Sequence, residues 1–97
     1  MLTHVVFFKW RPETTEDQIR AFEDGLAALP PQIPEIKSYR FGRDARLEAG
    51  EWDFVLIGEF ENEAAWERYD SHPAHERFKA ECARPMIGAR AAVQTKD

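Results

Sequence analysis

The stretch His4-Val5-Val6-Phe7-Phe8-Lys9-Trp10 reads as a β-strand, because β-branched and aromatic residues fill a short run with turn residues beyond it. Alternation puts His4, Val6, Phe8 and Trp10 on one face and Val5, Phe7 and Lys9 on the other. Both faces are largely apolar, so the strand is expected inside a sheet with both sides covered.

The next segments supply one cover. Thr15-Glu16-Asp17-Gln18 has the capping-box pattern, in which a threonine hydroxyl and a glutamine side chain reciprocally satisfy free backbone N–H groups. Ile19, Phe22, Leu26 and Leu29 then form one apolar stripe, which predicts an amphipathic helix over 15–29, ended by Pro30-Pro31. A second strand is predicted over 36–41 with Gly42 closing it, followed by a polar loop over 43–50. The run from Asp53 to Phe60 is the clearest strand, with Phe54, Leu56 and Phe60 on one face and Val55 and Ile57 on the other. Gly58 falls on the first face and leaves room there for a neighbour or a ligand. Asn62 caps a helix over 62–71, and Pro73 starts another over 73–83. Residues 86–94 read as a last strand.

The order β-α-β-β-α-(α)-β is the split-βαβ, ferredoxin-like arrangement of the α+β class. Its antiparallel sheet carries helices on one face only, so the other face needs a cover from elsewhere. Length sharpens the need. A chain of 97 residues is one domain's worth, and no linker or repeat divides residues 1–97. Such a chain buries only about 60–65% of the surface it exposes unfolded. One cysteine, Cys82, excludes an internal disulfide and is expected buried and inert, and no Cys/His spacing suggests a zinc staple. A second copy of the chain, packed sheet against sheet, is the expected remedy.

Charge narrows the partners. Thirteen basic and 18 acidic residues give a net charge of −5, and they are interspersed, so no basic stripe offers itself to nucleic acid. No apolar run approaches the roughly 18 residues of a membrane span. No signal-peptide pattern opens the chain, and a free cysteine then suits a cytoplasmic location.

Two of the three histidines share one segment, Tyr69-Asp70-Ser71-His72-Pro73-Ala74-His75. Pro73 at the first helical position makes His72 the N-cap and His75 the third helical residue. The partial positive charge of a helix start favours neutral imidazole, the form that accepts a proton as a general base. Tyr69, one turn before His72, has a phenol suited to donate to a carbonyl or enolate oxygen. A lone histidine at such a place is more often a cap, and His4 on an apolar strand face is more often a satisfied interior residue. No carboxylate completes a metal set with the two histidines, so no metal and no cofactor are expected. Trp10, Trp52 and Trp66 read as packing or interface residues.

The first strand with its His4, the helix after it, Gly42, the strand ending at Phe60 and above all Tyr69-x-x-His72-Pro73-x-His75 together resemble the stress-responsive A/B barrel (Dabb) family of dimeric α+β barrels. The resemblance implies a homodimer in which two sheets form a barrel, each subunit keeping a pocket between its sheet and helices. A polyketide cyclase of the family uses a histidine as general base and a tyrosine to hold the substrate oxo group. The resemblance places those roles on His75 and Tyr69, and places His4, Val6, Phe8, Phe22 and His72 at the substrate. Glu23, Leu26 and Phe54 depart from that cyclase, which implies a pocket of different shape. Family members without an assigned reaction imply the alternative of a non-catalytic, stress-associated binding protein. Related barrels imply a third, a monooxygenase.

Overall fold

The structure, a computed structural model, describes residues 1–97. The chain forms β1 (Leu2–Trp10), α1 (Glu16–Ala27), β2 (Ser38–Arg43), β3 (Phe54–Phe60), α2 (Glu63–Asp70), α3 (Pro73–Phe78), a π-helical turn over Lys79–Ala83, and β4 (Ile87–Lys96). The sheet order is β2-β3-β1-β4 with every neighbouring pair antiparallel. This is the expected ferredoxin-like α+β fold, with β1 inside the sheet as its two apolar faces require.

Local chemistry sets the helix starts. The Gln18 N–H donates to Thr15 Oγ1 at 3.2 Å and the Thr15 N–H to Gln18 Oε1 at 2.9 Å, closing the capping box. The Ala65 N–H donates to Asn62 Oδ1 at 2.9 Å. The Ala74 N–H donates to His72 Nδ1 at 3.0 Å, and Pro73, which has no N–H of its own, takes the first helical position. Several boundaries differ from the sequence reading: α1 stops at Ala27, β2 continues through Gly42 to Arg43, and β4 runs on to Lys96. β2 begins at Ser38, two residues later than expected. The helix expected over 73–83 is α-helical only to Phe78, after which the Arg84 N–H donates to the Lys79 carbonyl at 2.9 Å, a bond spanning five residues.

The core lies between the sheet and the helices. Leu2, Val6 and Phe8 from β1 and Phe54, Leu56 and Phe60 from β3 meet Phe22, Leu26 and Phe78. Phe22 packs edge-on against Phe8 and Phe54, each with ring centres 5.3 Å away. Gly25 makes the approach of α3 to α1 possible, since a Cβ there would stand 2.7 Å from Phe78 Cδ1. At Gly58 a Cβ would stand 3.1 Å from the Phe60 ring and 3.4 Å from the Tyr39 ring, so the space left there belongs to neighbouring rings.

No helix covers the opposite sheet face. Strand register aligns Ile57, Val5 and Val93 across three strands, and Val55, Phe7 and Ala91 in the next row. Phe7 remains 36% and Val93 59% exposed. This apolar face is the surface the sequence leaves needing a cover. No helix is long and apolar enough to cross a membrane.

Candidate functional site

The segment from Tyr69 to His75 bridges the end of α2 and the first turn of α3. The break forced by Pro73 folds His75 back under Tyr69, so that their rings stack with centres 4.3 Å apart and planes 25° apart. His75 Nδ1 lies 3.0 Å from the Asp70 backbone carbonyl. A carbonyl oxygen only accepts, so in the neutral ring Nδ1 carries the proton and donates it. Nε2 is then the basic nitrogen. It has no hydrogen-bond partner in the protein and is not sealed from solvent. Burial is the main cause that holds the His75 pKa below its ordinary value, and the nearby Lys79 ammonium acts in the same direction. His75 is thus a neutral base at neutral pH.

Both residues line an open cavity of about 790 Å³ between the sheet and the helices. Its apolar wall includes Val6, Phe8, Leu26, Leu56 and Phe78. His4 also faces it, from the sheet side. Burial, aided by the Arg90 charge, lowers the His4 pKa to about 4. His4 Nδ1 and the indole N–H of Trp66 are buried without hydrogen-bond partners, their rings 5.7 Å apart. The expectation of a satisfied interior histidine is therefore corrected: His4 keeps an unmet polar atom beside the cavity, and Trp66 is a cavity residue as well as a packing one.

Two residues expected at the substrate stand elsewhere. Phe22 is completely buried among Phe8, Trp10, Phe54 and Phe78, and does not reach the cavity. The helical stripe turns it inward, but four other rings fill the space before it. His72 is partly buried outside the cavity wall, and its Nδ1 is occupied by the cap bond to Ala74. Of the positions where the sequence departs from the cyclase, only Leu26 borders the cavity. Glu23 instead pairs on the surface with Arg43 at 2.9 Å, and Phe54 belongs to the core.

Of the polar lining residues that were not foreseen, one touches Tyr69 directly. Tyr39 on β2 lines the cavity, and its phenol oxygen lies 2.7 Å from that of Tyr69. Burial pushes the Tyr69 phenol up to about 12 and the Tyr39 phenol higher still. At that distance either oxygen can be the donor. With Tyr39 donating to the Tyr69 oxygen, the Tyr69 O–H remains for a ligand. The signal available in the sequence was slight: Tyr39 is one of only two tyrosines and alternates with Phe41 on one face of its strand.

No three His, Cys, Asp or Glu side chains converge closely enough to hold a metal ion. Cys82 is half-buried, and its thiol pKa is raised by burial.

Fold and site together define a ferredoxin-like α+β protein with a small-molecule-sized cavity bordered by two phenols and two imidazoles. The chain belongs to the stress responsive A/B barrel domain family, Dabb, whose model matches residues 2–97. Among solved structures it is similar to a dimeric ferredoxin-like protein from Thermobifida fusca YX, with a TM-score of 0.91 and 35% identity over 99% of this chain and 90% of that one. It shares its fold with the hydroxynitrile lyase of Passiflora edulis at a TM-score of 0.86 and 18% identity, covering 97% of this chain and 90% of that one. It also shares it with an antibiotic biosynthesis monooxygenase at a TM-score of 0.79 and 16% identity, covering 100% and 98%. No curated protein sequence matches it significantly.

Proposed function

We propose that the protein is a homodimeric, cofactor-free enzyme of the lyase or cyclase type that deprotonates a small enolisable carbonyl compound. The observation that carries this reading is the state of His75. Its Nδ1–H is held by the Asp70 carbonyl, and its Nε2 lone pair is left free beside the Tyr69 phenol.

The chemistry is a proton transfer. A substrate C–H next to a carbonyl faces Nε2, which takes the proton. The C–H electron pair moves into the new C=C bond, and the carbonyl π electrons pass to oxygen as an enolate. The Tyr69 O–H donates to that oxygen, itself supported by Tyr39. The imidazolium that forms keeps its bond to the Asp70 carbonyl and faces the Asp70 carboxylate at 3.9 Å. The enolate carbon then attacks a second carbonyl or expels a leaving group, and His75 returns its proton to the oxygen set free. Val6 and Phe8 hold the apolar part of the substrate, and His4 borders it.

The dimer supplies the second cover for the sheet. The rows Ile57-Val5-Val93 and Val55-Phe7-Ala91 give a copy of the chain a self-complementary apolar face.

The test is turnover of a linear β-triketone or tetraketide by the wild type, His75→Ala and Tyr69→Phe. A general base contributes about 10²–10⁴-fold, so His75→Ala is expected to lose at least about a hundredfold in kcat. Equal rates in wild type and His75→Ala would remove this role from His75. Saturable binding without turnover by the wild type would assign a binding protein instead.

A further inference from the structure

Nine arginines occur in a chain of net charge −5, and most of their possible partners are plentiful. Arg20, Arg43, Arg46 and Arg68 each pair with a carboxylate. Arg11, Arg40, Arg77, Arg84 and Arg90 form no salt bridge, and three of these five, Arg11, Arg84 and Arg90, line the one cavity that holds His75 and Tyr69. Asp70 is the only carboxylate on that wall, and it is already shared with Lys79 at 3.7 Å.

The fold brings these three arginines to one cavity from distant parts of the chain. Arg11 follows the end of β1, where it donates to the Ile87 and Pro85 carbonyls. Arg90 lies on β4 opposite Phe8, with Ala92 opposite Val6 and Gln94 opposite His4 on the same helix-side face. No helix reaches across this edge strand, so Arg90 remains exposed at the cavity mouth. Arg84 closes the π-helical turn. In an α-helix residues five apart point about 140° from each other. The five-residue bond from Arg84 to Lys79 brings both to one side, and both border the cavity.

We infer that the ligand of this cavity carries an anionic oxygen group, a carboxylate or a phosphate, which Arg11, Arg84 and Arg90 hold at the mouth while the rest of the molecule lies against the apolar wall toward His75. This deepens the proposed function by naming the substrate class, and it rests on that reading for the use of the cavity. Planar guanidinium groups suit such oxygens because they donate in pairs. The Arg90 charge also reaches the reacting end, where it lowers the pKa of His4 and of Tyr69.

Binding tests the inference separately from turnover. Three probes of similar shape are titrated by Trp fluorescence and calorimetry at low salt: 1-naphthoate, 1-naphthyl phosphate and neutral 1-naphthamide. The wild type is expected to bind an anionic probe at least about tenfold more tightly than the amide, with the preference falling as salt rises. The order of the two anions tells carboxylate from phosphate. Arg84→Gln/Arg90→Gln is expected to reduce the preference to about twofold or less, while Arg40→Gln, an unpaired arginine outside the cavity, keeps it. Binding is read without turnover, so a failure of the general-base reading leaves this result intact. Equal binding of amide and anions, no binding of any probe at millimolar concentration, or a preference unchanged in the double variant would overturn it.

Discussion

The phenol oxygens of Tyr39 and Tyr69 lie 2.7 Å apart, although the two residues are 30 positions apart in the chain. The contact couples the second strand to the end of α2, and it determines what Tyr69 can do. Without it the Tyr69 oxygen would have to find its donor in the ligand. When Tyr39 is the donor, the oxygen is already satisfied as an acceptor, and its own proton is left for a ligand.

Tyr39→Phe tests that coupling. When Tyr39 is the donor, its hydrogen bond lowers the Tyr69 pKa against the larger effect of burial, so its loss is expected to raise that pKa further. A spectrophotometric titration of phenolate absorbance reads the shift. Loss of one buried hydrogen bond is expected to cost about 1 kcal/mol of stability, and kcat on a β-polyketone is expected to fall while KM changes little. A Tyr69 titration that does not move would show that Tyr69 donates to Tyr39 instead.

How much of this was visible in the sequence depended on distance along the chain. Tyr69 and His75 are six residues apart, and Pro73 sets the phase of the helix between them, so their proximity follows from local rules. The apolar alternation of β1 placed His4, Val6 and Phe8 on one face correctly. Tyr39 reaches the site only through the pairing of β2 with β3, where it stands opposite Gly58, and a pattern within one strand does not specify its neighbour. Phe22 illustrates a second limit. Periodicity says that a residue points inward, but core and cavity are both inward, and four rings around Phe22 decide between them. The π-helical turn was hidden for a third reason. Lys79-Ala80-Glu81-Cys82-Ala83 is ordinary helical sequence, and the turn packs against α1, a neighbour that a local pattern does not name.

The pH dependence of activity follows from the state of His75. Its pKa lies below the ordinary 6.5 because burial penalises the imidazolium. Protonation removes the base, so kcat/KM is expected to rise with pH along a limb centred below 6.5 and to stay level through neutrality. The upper limit is Tyr69, which loses its donor proton only near pH 12. A pH–rate profile with its acid limb at 7 or above would mean that His75 is not a burial-shifted base.

Stability carries a related signature through His4. Its folded-state pKa is about 4, against 6.5 in the unfolded chain. Between these values the unfolded chain binds a proton that the folded chain refuses, so stability falls as pH drops from 6.5 toward 4 and levels off below. His75 acts in the same direction. His4→Leu removes both the titration and the unsatisfied Nδ1, and it is expected to raise stability at pH 7 by about 1 kcal/mol. Urea midpoints at pH 7 and pH 5 measure both effects. The variant is expected to show a smaller drop between the two than the wild type, and an identical drop would exclude His4 as a cause.

The uncovered sheet face makes the last prediction. Val5 sits at the centre of the row Ile57-Val5-Val93, with β3 on one side and β4 on the other. A glutamate there would bring a charge into the middle of a sheet-to-sheet interface, where an unpaired ion costs several kcal/mol. In a free monomer the same side chain would lie on a partly exposed surface at little cost. Val5→Glu is therefore expected to shift the protein from dimer to monomer in sedimentation at micromolar concentration, while far-UV circular dichroism keeps its α+β shape. Glu59→Gln, on the same face at the end of β3, is expected to leave the dimer in place. If the wild type itself sediments as a monomer at that concentration, the apolar face has another occupant and the barrel does not form.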